Sequence, residues 1–297
     1  MEDALTSTLT RQSWRDYLTM TKPKVVLLLL ITALVGMCLA EPNGLPSVKW
    51  VSLGLIGIGS LAASAAVFNH VFDRVLDAKM QRTQHRPLAE GRIPKVNALS
   101  FAFGLFTIGF FALLQVNLLT AWLTVLSLVG YAVIYTLWLK PATPQNIVIG
   151  GLAGAAPPLL GWTTIAGETA PEAWLLVILI FLWTPPHFWA LAIHRYRDYE
   201  KAGVPMLPVT HGTEFTKTMM LLYCALLCVA GIFPWLIGMS SLVYLCGAMA
   251  LNFGLFAHAW KLKFSPEKGD AWAMFKYSIW QLFGLFILLL GDHWWMT

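Results

Sequence analysis

The sequence predicts an all-α membrane protein, a polytopic bundle of about nine transmembrane helices. Three observations lead there. Of its 297 residues, 58% are hydrophobic and only 12% are charged, whereas soluble domains carry about 25% charged residues. The mean hydropathy is +0.66. Apolar runs fall at roughly 25–40, 51–72, 98–115, 118–139, 146–166, 173–193, 218–237, 239–260 and 273–291, each near or above the ~20 residues that cross a bilayer. Residues 1–297 read as a single integral membrane domain, with 1–23 as a polar, cytoplasmic N-terminal segment.

Pro23 opens the first run, where a first helical turn tolerates proline. The runs that follow are separated by loops of alternating charge. Basic residues stand before run one (Arg11, Arg15, Lys22, Lys24) and after run two (Arg74 through Lys95). They recur after run four (Lys140), run six (Arg195, Arg197, Lys201, Lys217) and run eight (Lys261, Lys263, Lys268). The alternate loops hold little beyond Glu41 with Lys49, and Glu168 with Glu172. The positive-inside rule then puts the N-terminus in the cytoplasm and the C-terminus outside. The net charge of +5 is therefore a topology signal rather than a nucleic-acid footprint. MEDALTSTLTRQSW has neither a signal-peptide core nor an Arg-rich, acid-poor transit composition, which favours a bacterial plasma (inner) membrane. Cys38, Cys224, Cys228 and Cys246 lie in apolar runs with no Cys-x-x-Cys pair, and read as small hydrophobes.

The second run ends in NHVFDRVLDAKMQRTQHRPLAEGR, residues 69–92. Asn69, Asp73 and Asp77 are spaced four apart. On a helix each such step turns about 40° and climbs about 6 Å, so their oxygens line one stripe. Two carboxylates and an amide suit a hard cation such as Mg²⁺, which takes oxygen ligands and is commonly shared with substrate phosphates. Arg82 and Arg86, again four apart, suit phosphate oxygens. A solvated helix end of mixed charge is the plain alternative. The cost of placing Asp in or near a membrane helix, about 2.5–3.5 kcal/mol at its centre, weighs against it.

The second long polar loop falls on the same side. It follows WTPPHFWALAIHRYRDYEKAGVPMLP, residues 183–208. Pro185 and Pro186 are expected to interrupt and kink the sixth helix. His187, flanked by Trp183, Phe188 and Trp189, is a candidate cofactor or substrate contact at membrane depth; a histidine satisfied by a nearby carbonyl is the alternative. Asp198 lies among Arg195, Arg197 and Lys201. Small residues in 139–164 favour close helix contact, with Lys140 and Asn146 able to face the site. Tyr131 and Tyr135 share a helix face, where packing is the favoured reading.

The pattern Asn69-x-x-x-Asp73-x-x-x-Asp77 resembles the first diphosphate motif of the UbiA superfamily of intramembrane prenyltransferases. RTQHRPLAEGRI and, most specifically, WTPPHFWALAI look like its haem O synthase branch, the protohaem IX farnesyltransferases. KPKVV, LKPATPQN and VPMLPV also resemble tracts of that family. The family's second motif is commonly Asp-x-x-x-Asp; here Ala202 stands at the partner position, so only Asp198 carries over.

The resemblance implies transfer of a farnesyl group from farnesyl diphosphate to a vinyl group of haem B with water addition, giving haem O and diphosphate. It implies Mg²⁺ held by Asn69, Asp73, Asp77 and Asp198, and diphosphate held by Arg82, Arg86 and Lys201. His187 with Trp183 is the expected haem contact. Haem A synthase or a terminal-oxidase assembly pathway would be the partner by resemblance only. The rivals are a prenyltransferase acting on an aromatic quinone precursor, a cation-coupled transporter, and a non-catalytic assembly factor. A transporter predicts acids on several helices near mid-membrane, whereas these acids gather at one rim.

Overall fold

A computed structural model describes residues 13–42 and 44–296. Residues 1–12, with Arg11, lie outside the described residues. Among the described residues the protein is helical throughout, with no strand. The first membrane helix, α1 (Pro23–Leu39), is 17 residues long. It follows the short helix Trp14–Met20 across a 50° bend. Lys22 makes that bend with a left-handed backbone, φ 50° and ψ 58°, an uncommon conformation for a residue with a Cβ.

Eight further helices are long and apolar enough to cross a membrane. They are α2 (Val48–Phe72), α3 (Lys95–Leu114), α4 (Leu118–Ala142), α5 (Asn146–Ala166), α6 (Pro171–His194), α7 (Gly212–Leu236) and α8 (Leu242–Phe264), then α9 (Asp270–Met296). With the bent pair counted as one span, the described residues hold nine. Three cysteines are buried and Cys246 is exposed.

Two apolar clusters organise the bundle. The larger surrounds α6, where Leu176, Leu179, Trp189 and Ala190 are wholly or almost wholly buried. The other joins α1, α2, α3 and α4 through Ala33, Met37, Ile58, Leu61, Leu113 and Ala132. α1 crosses α5 at backbone distance: a Cβ on Gly36 would stand 2.1 Å from the Pro158 carbonyl oxygen. Gly161 meets the Ala33 carbonyl in the same way. Small residues permit this approach, as expected for the Gly-rich 139–164 tract.

Two local features depart from simple helical geometry. First, Pro185 and Pro186 lie inside α6, yet the helix runs through them, where an interruption was expected. Each proline removes one hydrogen bond, but α6 is gripped by α5, α7 and α9, and packing on several sides holds the remaining ladder. The Thr184 hydroxyl donates to the Ile180 carbonyl at 2.7 Å one turn back. Second, α4 widens to π-helical turns over Gly130–Leu139. Such turns are rare and recur at functional sites.

The chain between α2 and α3 is folded onto the bundle by a small apolar cluster. Met20, Val67, Val71, Leu88, Ile93 and Ala98 pack together there. Arg92 braces it further, pairing with Asp16 of Trp14–Met20 and with Glu90 and donating to the His85 carbonyl at 2.9 Å.

Candidate active site

The site is built where α2 ends. Asp73 closes the helix, and a short helix, Arg74–Asp77, continues from it. The backbone N–H of Asp73 donates to the Asn69 carbonyl at 2.9 Å, and that of Asp77 to the Asp73 carbonyl at 2.7 Å. Helical spacing thus survives the junction, and Asn69, Asp73 and Asp77 are all buried, at 3%, 6% and 3% exposure.

Each is claimed by a cationic side chain. Lys140, at the end of α4, places Nζ 2.6 Å from Asp73 Oδ2. Arg86 donates through one guanidinium nitrogen to both Asp77 oxygens, at 2.8 and 2.7 Å. Lys22 donates to Asn69 Oδ1 at 2.6 Å and to the Tyr131 hydroxyl at 3.1 Å. The Asn69 amide then donates to Asp73 Oδ2 at 2.8 Å and to Thr136 Oγ1 at 3.1 Å. Tyr131, Thr136 and Lys140 lie on or directly after the π-helical turns of α4, and the Thr136 hydroxyl donates to the Tyr131 carbonyl five residues back. Tyr135 stacks on Tyr131, with centroids 5.7 Å apart, and lies against Gly150, where an added Cβ would stand 2.2 Å from its ring.

Buried charges must be paired, and here the pairing is uneven. Arg86 and Lys140 pair with Asp77 and Asp73, while Lys22, whose ammonium pKa burial and then the nearby Arg86 push down to about 7, stands beside them on Asn69 with no carboxylate of its own. Such a pocket favours an anion.

Asp198 reaches the same place from the second loop. It lies on the short helix Tyr196–Lys201 beyond α6. Its Oδ1 accepts from the backbone N–H of Gln81 at 3.2 Å, between Asp77 and Arg86 in sequence. Tyr199 is buried beside it. Burial pushes the Tyr199 phenol above its ordinary value; the Arg82 guanidinium opposes this, Asp198 adds to it, and Arg195 opposes it. Arg82 and Asp198 therefore act on one phenol. Arg82 and Lys201 are exposed and form no ion pair among the described residues.

The donor set fits a divalent metal shared with a phosphate. Among the described residues, no three His, Cys, Asp or Glu side chains form a metal cage. Yet Asp73 Oδ1 and Asp198 Oδ2 accept no hydrogen bond from them. Mg²⁺ keeps several waters and is usually held by one or two carboxylates plus substrate phosphates. The oxygens of Asp77 and Asn69 are engaged by Arg86 and Lys22.

His187 and Trp183 are brought together elsewhere. His187 precedes His194, the last residue of α6, by two turns, which is about 10 Å deeper. Trp183 and His187 stack at 4.2 Å, and Phe275 of α9 covers the imidazole at 4.5 Å. His187 Nδ1 lies 2.7 Å from Ser278 Oγ, and Trp183 Nε1 donates to the Ser278 carbonyl at 2.8 Å. Both line an apolar cleft between α1, α6 and α9, with Leu28, Thr32, Leu282 and Phe286 among its walls.

Sequence reasoning treated Lys22 as a topology charge and passed over Thr136. From the sequence, Lys140 reads as able to face the site and the Tyr131–Tyr135 face as packing rather than cation stabilisation. Thr136 sits in an apolar run and carries no signal; its place depends on the π-helical register.

The sequence matches the UbiA prenyltransferase family over residues 29–287. A protein of Photobacterium profundum named protoheme IX farnesyltransferase is 67% identical over 281 residues, covering 95% of this chain and 89% of that protein. One of the same name from Idiomarina loihiensis is 56% identical over 297 residues, covering 99% of each. Protoheme IX farnesyltransferase 1 of Vibrio parahaemolyticus is 55% identical over 293 residues, covering 98% of this chain and 97% of that one. Among solved structures, a digeranylgeranylglyceryl phosphate synthase superimposes with TM-score 0.79 at 18% identity, covering 94% of this chain and 98% of that one. A UbiA homologue from Archaeoglobus fulgidus bound to GPP and Mg²⁺ superimposes with TM-score 0.64 at 16% identity, covering 92% and 99%.

Proposed function

The chain belongs to the UbiA prenyltransferase family, and from that premise we propose that it is a protohaem IX farnesyltransferase: farnesyl diphosphate, haem B and water give haem O and diphosphate. The relatives of 55–67% identity that carry this name over nearly the whole chain support the reading. The observation that carries the chemistry is the buried row Asn69–Asp73–Asp77 with Lys22, Lys140 and Arg86 on it, joined to Asp198 through Gln81.

Asn69, Asp73, Asp77 and Asp198 hold Mg²⁺, with Asp73 Oδ1 and Asp198 Oδ2 as the unclaimed oxygens. When bound, the metal neutralises charge on the leaving diphosphate. Arg82, Arg86 and Lys201 bind the diphosphate, and the cations gathered at the acidic row draw it in. Preorganised charge of this kind is commonly the largest catalytic contribution. The allylic C–O bond breaks and its electron pair leaves with diphosphate. The apolar bundle interior keeps water from the farnesyl cation until the vinyl carbon of haem attacks it. The cation then formed beside the porphyrin takes up water and loses a proton, leaving the hydroxyethylfarnesyl group. His187, steadied by Ser278 and stacked on Trp183, contacts haem in the cleft. A polyisoprenoid and a porphyrin both partition into lipid, so a site within the helix bundle suits them.

The protein is an integral membrane protein. The bacterial inner membrane, with the acidic rim and N-terminus on the cytoplasmic side, is part of this proposal, as is delivery of product to haem A synthase or oxidase assembly.

The test is the mass spectrum of haem extracted after incubating the purified protein with Mg²⁺, farnesyl diphosphate and haem B. A haem heavier by the hydroxyethylfarnesyl change is expected. Unchanged haem together with prenylation of a hydroxybenzoate would overturn the assignment.

A further inference from the structure

His70 follows Asn69 on α2 and is 2% exposed. Neither of its ring nitrogens has a hydrogen-bond partner among the described residues. A neutral imidazole carries one donor and one acceptor, and leaving both unmet in a protein interior is costly. Its neighbours along the buried face, Val67 and Val71, are apolar and pack under the 88–93 segment. Packing alone would be served as well by an aromatic hydrocarbon. The retained polarity calls for another explanation.

Position supplies one. His70 precedes Asp73 by three residues and Asp77 by seven, and helical geometry puts it only about 20° around the axis from Asp77. Arg86 and Lys22 hold Asp77 and Asn69, the residues at the two ends of the acidic row. The imidazole therefore flanks the acidic row, next to Asn69 and within one helical turn of Asp73, on the side turned toward Asp77. Lys22 has no carboxylate of its own there, and the imidazole has no hydrogen-bond partner among the described residues. A multiply charged oxyanion in the pocket would answer both.

We propose that His70 is a further diphosphate-positioning residue: one ring N–H donates to an oxygen of the prenyl diphosphate, beside Arg86 and Lys22. This rests on the reading of the acidic row as a diphosphate site. The ring makes no contact with the metal and moves no proton in this role. It fixes the orientation of the anion, while Arg86 and Lys22 supply charge.

The test uses the full-length protein in detergent, titrated calorimetrically with inorganic pyrophosphate in the presence of Mg²⁺. His70→Phe and His70→Leu remove the donor, His70→Asn restores a donor and an acceptor, and Asp73→Asn serves as the control for the site itself. The apolar variants should bind pyrophosphate about tenfold more weakly, the size expected for losing a hydrogen bond to a charged group. Their KM for farnesyl diphosphate should rise in parallel, with kcat changed less. Without pyrophosphate they should unfold no earlier than the native protein, because an unmet buried polar group has been removed. His70→Asn should recover most of the affinity. Native-level pyrophosphate affinity in either folded apolar variant overturns the role of His70. A native protein that binds no pyrophosphate, or an Asp73→Asn variant that binds it normally, overturns the site reading and His70 with it.

Discussion

Lys140 Nζ at the end of α4 lies 2.6 Å from Asp73 Oδ2 at the end of α2, joining two helix ends 67 residues apart in sequence. The pair is largely withdrawn from solvent, with side-chain exposures of 15% and 7%. Removing one member of a buried ion pair costs about 3–5 kcal/mol, because the other charge is left uncompensated.

Lys140→Met should therefore lower unfolding stability by about 3 kcal/mol or more. The double variant Asp73→Asn with Lys140→Met should recover most of that loss. A double-mutant cycle in detergent reads the coupling. Strictly additive losses would show that the two charges do not depend on each other.

Asp73→Asn should keep the fold but lower kcat by about 10²–10³-fold, the range seen when one preorganised electrostatic contact is lost. It should also raise the Mg²⁺ concentration needed for half-maximal rate. Near-native turnover would take Asp73 out of the site.

Chelation should stop turnover, and Mg²⁺ should restore it. The donor set has no all-protein cage among the described residues, so affinity for the metal should rise at least tenfold when pyrophosphate is present. Direct titration with Mn²⁺, followed by electron paramagnetic resonance, checks this; equal affinity with and without pyrophosphate would contradict it.

His187→Phe keeps the stack with Trp183 and Phe275 but loses the contact to Ser278. It should raise KM for haem about tenfold while leaving that for farnesyl diphosphate near native, since a single hydrogen bond to a neutral or charged partner is of that order. The absorption spectrum of bound haem should change as well. An unaltered spectrum and KM would place haem elsewhere.

Gly36→Val drives a side chain into the Pro158 carbonyl. Overpacking of this kind costs about 1–3 kcal/mol or more, and here backbone must move. The thermal midpoint should fall, whereas Gly104→Ala, with nothing near an added Cβ, should change it little.

Much of this was legible in the chain. Nine apolar runs gave the helices, because the bilayer sets their length and composition. Asn69, Asp73 and Asp77 were found because a spacing of four is enough to align them, and the fold preserves that spacing past the end of α2. Asp198 was placed on the same side by loop charge, and it meets the first loop through a backbone N–H. Other parts needed coordinates. Lys22 looked like a topology charge; its contact is with a residue 47 positions away. Thr136 belongs to the site through a π-helical register that an apolar run does not disclose. The double proline suggested a break in α6, and tertiary packing overrode it. His70 has the bearing of a core residue until its two nitrogens are seen to lack hydrogen-bond partners among the described residues.

The close crossing of α1 and α5 fixes one wall of the cleft beside His187. With the carbonyl oxygens of Pro158 and Ala33 seated on Gly36 and Gly161 respectively, α1 has no slack toward α5. α9, the opposite wall of the cleft, touches α1 far more sparingly and carries the bulky Phe283 and Phe286. The cleft thus has one wall locked at backbone distance and, facing it, one that meets α1 through side chains.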